Sequence, residues 1–486
     1  MSIAACRFGG TVRTNPWINF MSVVSLDLLR KFDLRGPRYT SYPAADRFVE
    51  AFAEGEYVQA LKQRRFGVLA STLPLSLYAH LPLCEPLSYR YGSNKSINKH
   101  HEEADRYVRY LSREIDLHTA HLGSASLVSQ LHLGGGTPGT PGTPTFLSDE
   151  QLGVLMATLR RSFSFVPGGD YAIEVDPCAV DADRLAVLAG QGFNRLIFGV
   201  QDFHLNIQQA SRHTQLTEQV FALVDAARKL RFESINVDLI YGLPQQTPES
   251  FNRSLAQITA LKPDRVALYS YAHLPKRFKP QSRAATAELP NASAKIAMLA
   301  HLLDAFDAAG YVYVGLDHFA LPGDALAIAK RQGRLHRNFQ GYSARADGDF
   351  IALGVSAIGR VGATYKQNAK TLDEYYNHLD QGRLPVVRGL ALSRDDLVRR
   401  AVIMSLMCQG EAQFEPIENA YLIDFKSYFA NEFDALLGLE NQGLVKVTDT
   451  GIQVTAAGWF VVRAVAMVFD RYLQTDLNRA RFSKNI

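Results

Sequence analysis

Between residue 77 and about residue 272 the chain repeats one pattern six times: a short apolar, β-rich run, then a helix-patterned segment. The candidate strands are Leu77–Leu83, Val128–Leu133, Tyr171–Val175, Arg195–Val200, Ser234–Ile240 and Arg265–Tyr271. Helical patterning falls between them, for example over Glu103–His118, Asp149–Ser162, Asp183–Gly190, Thr217–Lys229 and Pro248–Ala260. Strands that each lead into a helix run parallel, with the helices as crossovers, so the expected fold class is α/β. Ligands in such folds bind at the C-terminal ends of the strands.

The polar and glycine-rich residues obey that rule. Just after the apolar runs stand Cys84, Gly134-Gly135-Gly136-Thr137-Pro138, Glu174 with Asp176, Gln201-Asp202, Asp238 with Tyr241-Gly242-Leu243-Pro244, and Ala272-His273. One face of one barrel would hold them all. Gly134–Gly136 is suited to bringing backbone N–H groups close to a carboxylate or phosphate, and equally suited to a tight strand-to-loop turn. Glu174, Gln201 and Asp238 follow three different strands. Buried polar groups need partners, and three at strand ends favour a ligand site over structural pairing. His80 and His132 sit inside apolar runs and read as satisfied core histidines rather than metal ligands. Cys178 and Cys408 read as buried small hydrophobes. The glycine loop continues as three tandem Gly-Thr-Pro units over residues 136–144, which looks like a local duplication.

At 486 residues the chain is long enough for a large core and more than one domain. Its 52 basic and 48 acidic residues are scattered, so no nucleic-acid or polybasic membrane patch is expected. Four well-separated cysteines form no disulfide framework and suit a reducing cytoplasm. No apolar run approaches the ~18 residues of a membrane span. Residues 1–20 lack the apolar centre of a secretory signal and read as a loose or mis-assigned extension, with Met1 or Met21 as the start. Residues 21–76 are expected to form an N-terminal arm. Arg35 through Pro43 is too rich in turn formers and aromatics for a helix, and helical patterning follows over residues 47–64. The barrel and its extension would occupy residues 77–385, with further elements at Tyr311–Phe319 and Asn338–Tyr342. A separate helical domain is expected over 386–486. There Gly443–Val447, a turn at Asp449–Gly451, Ile452–Val454 and a long helix from about Ala456 resemble a winged-helix element. No arginine-rich recognition helix accompanies it, so a cover is expected rather than a DNA reader.

Seven motifs together are specific. They are Arg38-Tyr39-Thr40-Ser41-Tyr42-Pro43, the Tyr78-x-His80-x-Pro82-x-Cys84 run, the Gly134–Pro138 loop, Ile173-Glu174-Val175-Asp176-Pro177, Gly199-Val200-Gln201-Asp202-Phe203, Asp238–Pro244, and Asn338-Phe339-Gln340-Gly341-Tyr342. Their combination, from about Met21 to the C-terminus, closely resembles the oxygen-independent coproporphyrinogen III oxidases, radical S-adenosylmethionine (SAM) enzymes of haem biosynthesis. The resemblance implies a partial (β/α)6 radical-SAM barrel with an N-terminal arm and a C-terminal helical, winged-helix-like domain. It implies a [4Fe–4S] cluster on three thiolates, two SAM molecules, and oxidative decarboxylation of coproporphyrinogen III to protoporphyrinogen IX; the electron donor is unknown. Carried over, the first SAM meets Tyr78, Gly135, Glu174 and Ile358, and the second meets Gly136, Thr137, Gln201, Asp238 and Ala272, with Gln340 close by. Arg35 and Arg38 are expected to help hold substrate carboxylates.

The departures from the family pattern gather at the cluster loop. It reads as C-x3-C-x2-C in which Cys84 alone survives, with Ser88 and Tyr91 at the other two positions and Ser93 where some relatives carry a fourth cysteine. Arg90 replaces an aromatic residue, and His213, beside Arg212, replaces an arginine expected against the second SAM. Iron–sulfur clusters take thiolate ligands. A thiol near pKa ~8.5 deprotonates far more readily than a tyrosine near ~10, and hydroxyl oxygen is the harder donor. Two readings follow: a family enzyme that is catalytically impaired, with the cluster not stably bound, or a non-catalytic protein that binds porphyrin, haem or SAM.

Overall fold

The computed structural model describes residues 31–32, 36–68, 70–82, 101–123, 126–135, 147–210, 215–271 and 288–474. Six parallel strands form its centre: β1 (Leu75–His80), β2 (Leu127–Gly134), β3 (Ser164–Val175), β4 (Arg195–Gln201), β5 (Ser234–Tyr241) and β6 (Arg265–Ser270). Each expected strand is present. The helices Asp149–Ser162 and Thr217–Lys229 have the bounds read from the sequence. The first of them begins sharply because Ser148 accepts from the Gln151 amide while the Gln151 side chain reaches back to the Ser148 N–H.

Side chains alternate along these strands with period two. Leu77, Leu131, Ile173, Leu196, Val237 and Val266 enter one hydrophobic core beneath the helices. Their polar neighbours, including Gln130, His132, Glu174, Asn236 and Asp238, line the inside of the barrel.

Later segments widen the sheet: β7 (Val312–Gly315), β8 (His318–Ala320), and then, after a separate two-stranded hairpin of β9 (His336–Asn338) and β10 (Gly341–Ser343), β11 (Phe350–Leu353), β12 (Ile358–Val361), β13 (Thr364–Asn368) and β14 (Val386–Ala391). The sheet order is β14-β13-β12-β11-β1-β2-β3-β4-β5-β6-β8-β7, so β11 runs parallel beside β1 and antiparallel strands finish both edges. Inside a partial barrel, β11 brings the following β12 close to the mouth.

Helices from Arg394 onward build a second core with β15 (Glu411–Gln413), β16 (Val445–Val447) and β17 (Gly451–Val454) as a small antiparallel sheet. The wing-like hairpin is present. The long helix expected after it is not: the chain forms Ala456–Phe460, Val462–Met467 and Arg471–Gln474, broken at Val461 (φ −110°, ψ 21°). Trp459, Val462, Val465 and Phe469, on either side of the break, are all buried in the second core.

The described part of the arm packs on this second core, with Tyr39 and Tyr42 buried in it and the Tyr39 hydroxyl donating to Asp470 at 3.0 Å. The helix read from residue 47 starts instead at Glu54. Val49 exchanges two backbone hydrogen bonds with Gly389, which holds that stretch extended. Among the described residues, no helix is long and apolar enough to cross a membrane.

Candidate functional site

The inward faces of the strands enclose a cavity of about 150 Å³. Ion pairs tie off its N-terminal end. Arg195 and Arg345 both bind Asp170, at 2.7 and 3.0 Å, and Arg265 binds Asp324 at 2.8 Å. Ser76, Gln130 and Ser343 complete the floor through bonds of 2.8 and 2.9 Å. A floor closed by ion pairs and hydrogen bonds leaves the C-terminal strand ends as the mouth.

Glu174, near the end of β3, organises that mouth. Its Oε1 accepts from His132 Nε2 at 2.9 Å and its Oε2 from the Gly135 amide at 3.3 Å. Gly134 must be glycine here, because a Cβ would stand 2.5 Å from Glu174 Oε1 and 2.9 Å from His132 Nε2. Gly135, at φ +128°, lies against the β1 end, where the Leu81 amide donates to the Gly134 carbonyl at 2.8 Å. Beside it, Tyr78 Oη and His80 Nδ1 are 2.9 Å apart. Burial lowers the His80 pKa to about 4, with Glu174 pulling the other way.

Asp238 is almost wholly buried on β5 and accepts from Asn236 Nδ2 at 2.7 Å. Burial, and then the charge of Glu174, push its pKa up to about 8, while the Asn236 bond opposes them. The mouth thus holds one carboxyl that stays protonated near neutrality beside one that accepts two hydrogen bonds. Gln201 ends β4, fully buried and in the left-handed region at φ +70°, a conformation that costs a non-glycine residue energy and is typical of sites. From the β9–β10 turn, Gln340 reaches across the cavity to donate to the Leu77 carbonyl at 3.3 Å. Ile358 opens β12, next to a small cluster of Phe350, Ala352 and Ala357 on which Tyr78 packs.

The structure therefore brings Tyr78, Gly135, Glu174, Asp238 and Gln340 to one cavity mouth, with Gln201 at a strand end and Ile358 on an adjoining strand. Gly136, Thr137, Ala272, Cys84, Ser88, Tyr91 and Arg35 lie outside the described residues, as do Arg90, Ser93, Arg212 and His213. Two sequence expectations need correction. His80 and His132 are not core histidines but half-buried members of the mouth, bonded to Tyr78 and Glu174. Cys178 is exposed, because its amide turns back onto the Asp176 carboxylate at 2.8 Å and carries the side chain out of the barrel. Cys408 is buried as expected. Asn236 was not singled out from the sequence, although its place two residues before Asp238 puts both on one strand face.

Residues 93–258 match the Radical SAM superfamily and residues 392–461 the HemN C-terminal domain. The chain is 45% identical over 462 residues to the oxygen-independent coproporphyrinogen III oxidase of Pseudomonas aeruginosa, covering 95% of this chain and 98% of the relative. It is 43% identical over 470 residues to the Escherichia coli protein of the same name, covering 96% and 100%. Among solved structures, coproporphyrinogen III oxidase (HemN) from Escherichia coli, a radical SAM enzyme, superposes with a TM-score of 0.86 at 42% identity, over 93% of this chain and 99% of that one.

Proposed function

The chain belongs to the oxygen-independent coproporphyrinogen III oxidase family, and from that premise we propose that it keeps the family's ligand-binding barrel while its turnover is weak or absent. The radical SAM family implies SAM and a [4Fe–4S] cluster, and the two groups fare differently against the residues present.

SAM fits. When bound, it supplies an activated carbon–sulfur bond and carries an ammonium and a carboxylate. Glu174, fixed by His132 and the Gly135 amide, is positioned to take a cationic group at the mouth. Asp238, held by Asn236 and neutral up to about pH 8, adds a hydrogen-bonding partner that a nearby cation would convert to a carboxylate. Tyr78 and Gln340 border the same space, with Gln201 and Ile358 beside it. The family positions Gly136, Thr137 and Ala272 carry the residue types this role requires.

The cluster does not fit. Its three positions hold one thiol and two hydroxyls, Cys84, Ser88 and Tyr91, and a tyrosine adds bulk where a compact sulfur belongs. Serine and tyrosine are poor ligands for iron–sulfur iron at neutral pH. The single observation that carries this reading is the contrast: strand-end groups bonded into one polar mouth, beside a donor set with one thiolate.

Decarboxylation of coproporphyrinogen III is therefore expected to be weak or absent. The alternative reading follows from the same contrast: a protein that binds coproporphyrinogen III, another porphyrin, haem or SAM without turnover. Titration of the purified protein with SAM, coproporphyrin III and haem is expected to give at least one saturable signal. Saturation by none of the three would remove the binding role.

A further inference from the structure

The β7–β8 hairpin turns on two residues, Leu316 and Asp317, and both have positive φ, +31° and +69°. Two-residue turns of this hand are normally built from asparagine, aspartate and glycine, and a leucine there is strained. The turn is pinned from two sides. The Leu268 amide of β6 donates to the Asp317 carbonyl at 2.7 Å, and the Arg38 guanidinium binds the Asp317 carboxylate at 3.1 Å. The strained turn delivers the Leu316 carbonyl, which stands 2.7 Å from Nδ1 of His318.

A carbonyl oxygen only accepts, so the His318 ring carries its proton on Nδ1 and presents Nε2 as a bare acceptor. Burial, then Arg337, lower the His318 pKa to about 3, with the Leu316 carbonyl opposing, and keep the ring neutral. The Tyr342 ring stands across it at 85°, 5.4 Å between centres. Nε2 has no hydrogen-bond partner among the described residues, and a Cβ added at Gly341 would meet Nε2 at 3.7 Å and none of their other atoms within 4 Å. Space therefore remains beside the acceptor. His318 is half-buried and lines the barrel cavity. Strand register sets its level: Asp238 pairs with Ala267, and Ala267 with His318. All three line the cavity, so one methyl group separates Asp238 from His318 across two strand spacings, about 10 Å. This shelf has the carboxyl read above as a SAM contact at one end and an acceptor suited to a neutral donor at the other. Water would satisfy Nε2 without a fixed tautomer or a strained turn.

We propose that His318 Nε2 accepts a pyrrole N–H of a tetrapyrrole in its reduced, porphyrinogen form, and so selects that form over the flat oxidised porphyrin. The identity of the ligand rests on the porphyrin reading above; the acceptor itself rests on the turn, the ring and the shelf. In a porphyrinogen, saturated carbon bridges let a pyrrole turn its N–H toward one face of the macrocycle. In the oxidised porphyrin, conjugation holds the N–H groups in the ring plane, aimed at its centre, where a side chain on the cavity wall does not reach them. The SAM ammonium is better served by the Glu174 carboxylate than by a neutral imidazole.

The test measures binding of coproporphyrinogen III (anaerobic, in the dark), coproporphyrin III and SAM to wild type, His318→Phe and His318→Gln by equilibrium dialysis. Wild type is expected to bind the porphyrinogen several-fold more tightly than the porphyrin. His318→Phe keeps a ring and removes the acceptor. It is expected to weaken coproporphyrinogen III binding by roughly tenfold, with coproporphyrin III and SAM affinities unchanged. His318→Gln places an amide oxygen near the position of Nε2 and is expected to recover most of the loss, which a merely structural histidine would not allow. Should neither variant fold, the wild-type preference carries the test, and equal affinity for the two tetrapyrroles overturns the proposal. Porphyrinogen affinity that is the same in wild type and His318→Phe, or equal weakening of both tetrapyrroles, overturns it and leaves the porphyrin reading standing. Loss of SAM affinity alone assigns the acceptor to SAM and likewise overturns it. Binding of neither tetrapyrrole to wild type overturns both the proposal and the porphyrin reading.

Discussion

At the scale of single residues, Asp238 has the clearest measurable consequence. Its carboxyl titrates at about 8 in the folded protein, mainly because burial disfavours the anion, against an ordinary value near ~3.9 in the unfolded chain. Between those values the unfolded chain has released a proton that the folded protein retains, so this group makes stability fall as pH rises through the window. Asp238→Asn removes the effect. The variant is expected to gain stability over wild type on going from pH 6.5 to 8, by on the order of 1 kcal/mol per pH unit, as read by urea unfolding at both values. A stability difference independent of pH would contradict the assignment. His80 shifts in the opposite sense, lowered by burial, but its window lies below its ordinary value of 6.5 and outside this comparison. The sequence marked Asp238 and Glu174 because strand ends are where α/β folds bind. It gave no sign that His80 and His132 join them, since a histidine inside an apolar run looks the same whether its strand faces helices or cavity.

At the scale of elements, strands and crossover helices were readable because period-two and helical patterns are local. The interactions that lock elements together were not. Glu114, in the helix His101–Leu122, is fully buried. It accepts from the Gly354 amide at 2.7 Å, Tyr375 at 2.7 Å and Asn368 at 2.8 Å, with Lys366 at 3.8 Å. Burial pushes its pKa up and lowers that of Lys366 to about 8, each opposed by the other's charge. This network fastens the helix to β11 and β13, and Tyr107 of the same helix donates to the His80 carbonyl at 2.6 Å. Glu114→Ala leaves Lys366 buried without its counter-charge and is expected to cost about 3–5 kcal/mol in denaturant unfolding. A second element-level outcome concerns the close approach of β2 and β3. Gly134→Ala places a methyl group within 2.5 Å of Glu174 Oε1. It is expected to cost about 1–3 kcal/mol and to weaken SAM binding in the same titration. Unchanged SAM affinity would mean that Glu174 does not contact the ligand. The broken helix after Thr455 was equally illegible, because its pattern is helical throughout.

At the scale of the whole molecule, ancestry and chemistry separate. Seven dispersed motifs identified the family from the sequence; those at the ends of the described parallel strands reach one mouth, while Arg38–Pro43 lies in the arm over the second core and Asn338–Tyr342 spans the β9–β10 turn. What the molecule does now turns on a loop of a few residues whose fold-level context is intact. On the reading proposed above, one thiol at Cys84, with Ser88 and Tyr91 at the other two cluster positions, would separate a protein that binds from one that turns over. The direct measurement is anaerobic reconstitution with iron and sulfide, followed by reduction in the presence of SAM and assay for 5′-deoxyadenosine. It should be run in parallel on wild type and on Ser88→Cys/Tyr91→Cys. The expected result is no stable cluster absorbance and no 5′-deoxyadenosine from wild type, with cluster absorbance gained by the double variant. Cluster absorbance together with 5′-deoxyadenosine release from the wild-type chain would contradict the account.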